Sequence, residues 1–155
     1  MTSDSGSDPI GVPRGITVNV VHDAECVDVY EVERLVQSVV RAESAKVHSL
    51  GVVLCRRELH VALHRKYLGK PSPTDVLAFN LEPGSTELDG EIYVDLDTAR
   101  ERHAEFGATF NEEVYRYVVH GLLHLLGYSD EQKSAARKMR ERQELLLRTF
   151  LQRPA

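Results

Sequence analysis

VVHGLLHLLGYSD, residues 118–130, is the stretch on which the reading of this chain turns. His120 and His124 are four apart, so on a helix their imidazoles share one face about one turn apart. Their neighbours Val118, Val119, Leu122, Leu123, Leu125 and Leu126 are apolar, a setting in which unpaired imidazoles are costly to bury. Gly127 supplies the residue that tolerates the left-handed conformation of a helix stop, and a reversal there returns Asp130 towards the rings. Two neutral imidazoles and one carboxylate make three protein ligands, the number that a catalytic zinc site keeps while leaving its fourth position to water. Such a site makes a nucleophile near neutral pH and polarises the scissile bond. A lone HxxxH is more often two ordinary residues, but Gly127 and Asp130 at these offsets favour a metal. The expectation is one Zn2+ per chain on His120, His124 and Asp130, with the two histidines as the catalytic core.

Working outward, Asn111 followed by Glu112 and Glu113 reads as the start of this helix, a capping side chain and then negative charge at the positive end of the dipole. The helix is expected over about 111–126, preceded by one at 98–106 and followed by a long one at 131–150. Upstream, strands are expected at 16–21, 50–55, 75–81 and 91–97, with helices at 29–44 and about 57–67. Pro71, Pro73, Pro83, Gly84 and Gly90 fall between these elements as breakers. Residues 1–15 read as a flexible leader, and 16–150 as a single metal-dependent hydrolase domain. The mixed order gives an α+β class, a small four-stranded sheet with packed helices.

The bulk composition agrees with a globular chain. It has 155 residues, 42% hydrophobic and 28% charged, and no apolar run approaches the roughly 20 residues of a membrane helix. The polar N-terminus lacks a secretory pattern, and Cys26 and Cys55 are isolated, so a cytoplasmic, membrane-free protein with reduced thiols is expected. The net charge of −5 argues against indiscriminate polyanion binding but leaves room for a local basic face. Arg56, Arg57, Arg65, Lys66 and Lys70 form one basic group, with His60 and His64 among them. Lys133, Arg137, Lys138, Arg140 and Arg142 form another, which reads as a solvated helix face. His60 and His64 are also four apart, but no glycine stop or third ligand follows them. They are taken as solvent-facing or satisfied, and His22, His48 and His103 are left unassigned. A zinc peptidase would carry a glutamate beside its first histidine, and position 121 is Gly, which points away from peptide hydrolysis.

HGLLHLLGY followed by an acidic position resembles the YbeY family of endoribonucleases, the ribosomal RNA maturation factors. LHRKYLGKPSPTDVLAFNLE (63–82) and GEIYVDLDTAR (90–100) are similar to two further blocks of that family, in the same order and at similar separation. The resemblance spans about residues 16–150. It implies a zincin-like α+β fold, a metal ion, and single-strand-selective cleavage of ribosomal RNA in ribosome maturation and quality control, with the small ribosomal subunit as partner. His120 and His124 take the places of the family's first two metal histidines, and Asp130 stands where most members have a third, a variant that also makes the metal's identity less certain. The family's Arg after the Tyr is Leu68 here, so either Arg65, Lys66 or Lys70 holds phosphate in its place or the phosphodiester chemistry is weakened. The family's Asn is His64, which reopens a role there as RNA contact or proton carrier. The basic group at 56–70 is expected to form one wall of the metal cleft. Thr74 and Asp75 read equally as a turn and as cleft residues, and Tyr128 equally as packing and as base-stacking. Two rivals remain at this stage: a zinc hydrolase of a non-RNA substrate, and a non-catalytic zinc-containing ribosome assembly factor.

Overall fold

Ile16–Val21 alternates, with Ile16 and Val18 buried and Thr17 and Asn19 exposed, which makes β1 a strand with one face on the core. The computed structural model describes residues 15–68 and 75–154. Residues 1–14 of the expected leader, together with Lys70, Pro71, Pro73 and Thr74, lie outside the described residues. Asp28 starts α1 (Val29–Ala42) by accepting from the backbone N–H groups of Tyr30 and Glu31 at 3.0 and 3.4 Å. Its buried residues Val32, Leu35, Val36 and Val39 fall on one helical stripe. Then come β2 (Val47–Cys55), α2 (Arg57–Leu68), β3 (Val76–Asn80), β4 (Leu88–Asp95) and α3 (Leu96–Arg102). A 3-10 turn at His103–Phe106 leads into α4 (Phe110–Leu125) and α5 (Lys133–Leu151).

The four strands form one mixed sheet in the order β1-β2-β4-β3. β1, β2 and β4 run parallel, and β3 closes one edge antiparallel to β4. The α+β expectation with four strands is what the chain forms. The register puts Val52 beside Ile92 and Leu54 beside Val94, so these side chains share one face of the sheet. All four are fully buried, each contributing roughly 1.5–3 kcal/mol. α4 lies on that face. It comes so close that a Cβ on Gly121 would meet Cγ2 of Ile92 at 2.8 Å and Cγ2 of Val76 at 3.0 Å. α1 and α5 pack against α4 in turn. α2 covers the other face, where Tyr67 meets Phe79 edge-on with ring centroids 5.3 Å apart.

Several local expectations need correction. Asn111 does not cap α4; Thr109 does, in a reciprocal box in which its hydroxyl accepts from Glu112 N and Glu112 Oε1 accepts from Thr109 N. A hydroxyl three residues before a glutamate closes two bonds, whereas Asn111 is already inside the first turn. β2 starts at Val47 and β4 at Leu88, each three residues earlier than expected, because His48, Ser49, Asp89 and Gly90 interrupt the apolar pattern near their starts. Of the two options for His60 and His64, solvent-facing or satisfied, the first falls: they are 0% and 4% exposed, since α2 turns that side onto the sheet. Neither ring nitrogen of His60 closes a hydrogen bond, although the Tyr93 backbone lies near one of them. Burial holds its pKa below the ordinary imidazole value, against the opposing pull of Asp95 and Asp75.

Candidate metal centre

The stop of α4 is a Schellman reversal. Gly127, at φ 104°, donates to His124 O at 3.1 Å, and Tyr128 N donates to Leu123 O at 2.9 Å. The turn swings Asp130 back over the helix, as the glycine spacing predicts. Asp130 Oδ2 lies 3.4 Å from His124 Nε2 and 3.9 Å from His120 Nε2, and the two Nε2 atoms are 3.1 Å apart. A tetrahedral ion with bonds of about 2.0–2.1 Å would separate its ligand atoms by about 3.3 Å, so these spacings fit one zinc-sized ion. Among the described residues this is the one group of three or more acidic, His or Cys side chains whose ligand atoms converge, all within 4.8 Å of one another.

Hydrogen bonds behind the cluster decide which ring nitrogen of His120 is free. Glu144 is bound by Arg116 at 2.9 and 3.2 Å, and its Oε2 accepts from Gln143 Nε2 at 3.0 Å. A carboxylate held by a guanidinium only accepts, so the amide nitrogen of Gln143 must face it and the amide oxygen must face His120. That oxygen lies 2.7 Å from His120 Nδ1, which therefore carries the proton and leaves the Nε2 lone pair towards Asp130 and His124. His120, His124 and Asp130 would be the residues to hold an ion there. Burial opposes ionisation of Glu144, but its bonds to Arg116 and Gln143 prevail and hold its pKa below the usual value.

A cleft of about 370 Å3 opens beside His120, with Asp75, Arg102, Phe106, Glu113, Arg116, Tyr117, Gln143 and Glu144 also in its walls. The sequence reading placed Asp75 here as one of two options and missed most of the others. A signal for Gln143 did exist. It falls on the buried stripe of α5 with Met139, Leu146 and Leu147, where a polar residue needs a partner. Of the basic wall expected from residues 56–70, the described part, 56–68, does not line the cleft. Arg65 and Lys66 are exposed on α2, across the sheet from α4, and neither lines the cleft; Arg102 and Arg116 are its cations. His64 is likewise withdrawn as an RNA contact, because its burial leaves no surface to an RNA chain. Tyr128 packs against the core and donates to Glu43 Oε1 at 2.9 Å, which favours its packing role over base stacking.

A three-layered α+β chain whose helix ends in a converging His-His-Asp set has the residues that could hold a divalent metal beside a cleft. Comparison with known proteins narrows that description. The profile of the family described as Endoribonuclease YbeY matches residues 18–151, and the chain belongs to that family. An Endoribonuclease YbeY from Salinibacter ruber is 39% identical over 155 residues, covering 95% of this chain and 99% of that protein. Another, from Chlorobium phaeobacteroides, is 34% identical over 117 residues, 76% of this chain and 82% of its own length. The solution structure of a Thermotoga maritima protein matches with a TM-score of 0.60 at 29% identity, covering 86% of this chain and 89% of that one. No helix among the described residues is long and apolar enough to cross a membrane.

Proposed function

We propose that this chain is a metal-dependent endoribonuclease acting on single-stranded RNA in ribosomal RNA maturation, in the cytoplasm and on the small ribosomal subunit. Residues 16–150 form its single hydrolase domain, with one zinc ion on His120, His124 and Asp130. The observation that carries the reading is the convergence of those three ligand atoms at the end of α4, within a chain of the endoribonuclease family. The rivals, a zinc hydrolase of another substrate and a non-catalytic assembly factor, lose ground to that family membership.

When bound, a divalent ion there supplies a Lewis acid that draws electrons from a phosphate oxygen and lowers the pKa of water. The chain's own groups do the rest. Gln143 keeps His120 in the tautomer whose Nε2 can ligate. Glu113 and Glu144 are tied to Arg116, which leaves Asp75 as the lining carboxylate free of that guanidinium. We assign Asp75 to accept the proton of the attacking hydroxyl, the job that a glutamate at position 121 would do in a peptidase. Arg65, Lys66 and Lys70 are assigned to hold the RNA backbone, Arg65 and Lys66 from the exposed side of α2.

The test is cleavage of an unstructured ribosomal RNA fragment by the purified protein before chelation, after it, and after zinc is returned. Loss and recovery of endonucleolytic products support the reading. Cleavage indifferent to chelation, or none at any metal content, contradicts it.

A further inference from the structure

Resting on the nuclease reading above, we propose that Arg102 and Phe106 form a nucleotide subsite of the cleft beside His120, Phe106 stacking an unpaired base and Arg102 holding the adjoining phosphate. Both residues line the same cleft as His120. Phe106 is 59% exposed, whereas Phe110 and Phe150 are in the core. An isolated exposed aromatic needs no explanation on a surface, but this one stands in the wall of the cleft that holds the chemistry. Its backbone is braced. Gly107, at φ 67°, ends the turn by donating to Ala104 O at 3.2 Å, and Ala108 N donates to His103 O at 3.0 Å. His103 Nδ1 closes the same turn on Ala108 O at 2.8 Å.

Arg102 differs from the other arginines nearby. Arg57 is held by Asp95 and Glu101, Arg100 by Glu25, and Arg116 by Glu113 and Glu144. Arg102 forms no ion pair with any described residue, and its guanidinium stands 5.5 Å from the centroid of Phe106. The cleft carries Asp75, Glu113 and Glu144 against two arginines, and both glutamates bind Arg116 rather than Arg102. Tyr117 stays a neutral phenol, its pKa raised by burial and by its bond to Glu113. A guanidinium without a carboxylate partner, lying over one face of a ring that is 59% exposed, matches one nucleotide: phosphate on the cation, base on the exposed part of the ring. A base paired inside a duplex presents no free face, so this pair selects single strands. Stacking is tolerant of base identity, so it does so without reading sequence.

The test uses metal-loaded protein and a short single-stranded RNA carrying 2-aminopurine, read in the binding phase of stopped-flow traces ahead of turnover. The parent should quench the probe. Phe106→Ala should abolish the quench and weaken affinity by about 5- to 100-fold, and Phe106→Trp should restore both. Arg102→Gln should lower the single-strand salt slope by about 0.7, and Arg102→Lys should recover it. Phe106 is exposed, so the variants should keep the parent's circular dichroism. If the parent cleaves this RNA and Phe106→Ala still binds and quenches as it does, the subsite is wrong and the nuclease reading stands. If the parent neither binds nor cleaves, the nuclease reading fails and the subsite with it.

Discussion

The amide oxygen of Gln143 lies 2.7 Å from Nδ1 of His120, across 23 residues of chain, and fixes which nitrogen of that ring is open to a metal. Replacing Gln143 with Leu removes the acceptor while suiting the apolar stripe of α5. Affinity for zinc, measured by competition with a chromophoric chelator, should fall by about 10- to 100-fold with the fold retained. Parent-like affinity would mean that the contact does not orient the ring.

Glu144 anchors this arrangement, and its depressed pKa makes the anchor sensitive to acid. A carboxylate whose folded pKa lies below its ordinary 4.5 contributes stability above that value and loses it as pH falls through the folded pKa. Its side chain is 40% exposed, so screening keeps the effect small. Unfolding of Glu144→Gln should therefore differ most from the parent near neutral pH, and the two should converge as pH falls below 4.5 and through the folded pKa. Denaturant titrations across that range check it; a gap that widens in acid would reverse the assignment.

Gly121 fills the position that a peptidase would give to its glutamate base. Its Cα faces the sheet at a distance that leaves no room for a side chain. Gly121→Ala should cost about 1–3 kcal/mol and lower the melting temperature by roughly 2–4 °C per kcal/mol. An unchanged melt would show that α4 can shift freely on Ile92 and Val76.

The two cysteines should behave oppositely. Cys26 is exposed, whereas Cys55 is buried, and burial, with Asp95 and Asp97 adding to it, pushes its pKa up to about 12. Iodoacetamide on the native protein at pH 8 should modify one thiol, mapped by mass spectrometry to Cys26, and reach Cys55 only after unfolding. Modification of native Cys55 at a comparable rate would contradict the buried face under α2.

Elements with a strong period were legible from the residues alone. Val32, Leu35, Val36 and Val39 announce α1, and the alternation of Ile16 to Val21 announces β1. The convergence of His120, His124 and Asp130 was legible because all three belong to one helix and its stop, so their spacing along the chain sets their spacing in the fold. The cleft was not, because its walls come from α3, the 3-10 turn, α4 and α5, and no local pattern joins Phe106 to Gln143. Arg65 and Lys66 misled as cleft residues for a related reason: charge clusters in sequence say nothing about which face of the sheet a helix covers. His60 misled because a polar side chain reads as surface until the packing of α2 is known.

The central claim is that His120, His124 and Asp130 hold one divalent ion on which RNA cleavage depends. Elemental analysis of purified parent, His124→Ala and Asp130→His, each assayed on the same single-stranded RNA, tests it most directly. The account predicts about one zinc per chain in the parent, loss of tight metal and of cleavage in His124→Ala, and retained metal in Asp130→His. Parent-like metal content or cleavage in a folded His124→Ala would contradict it.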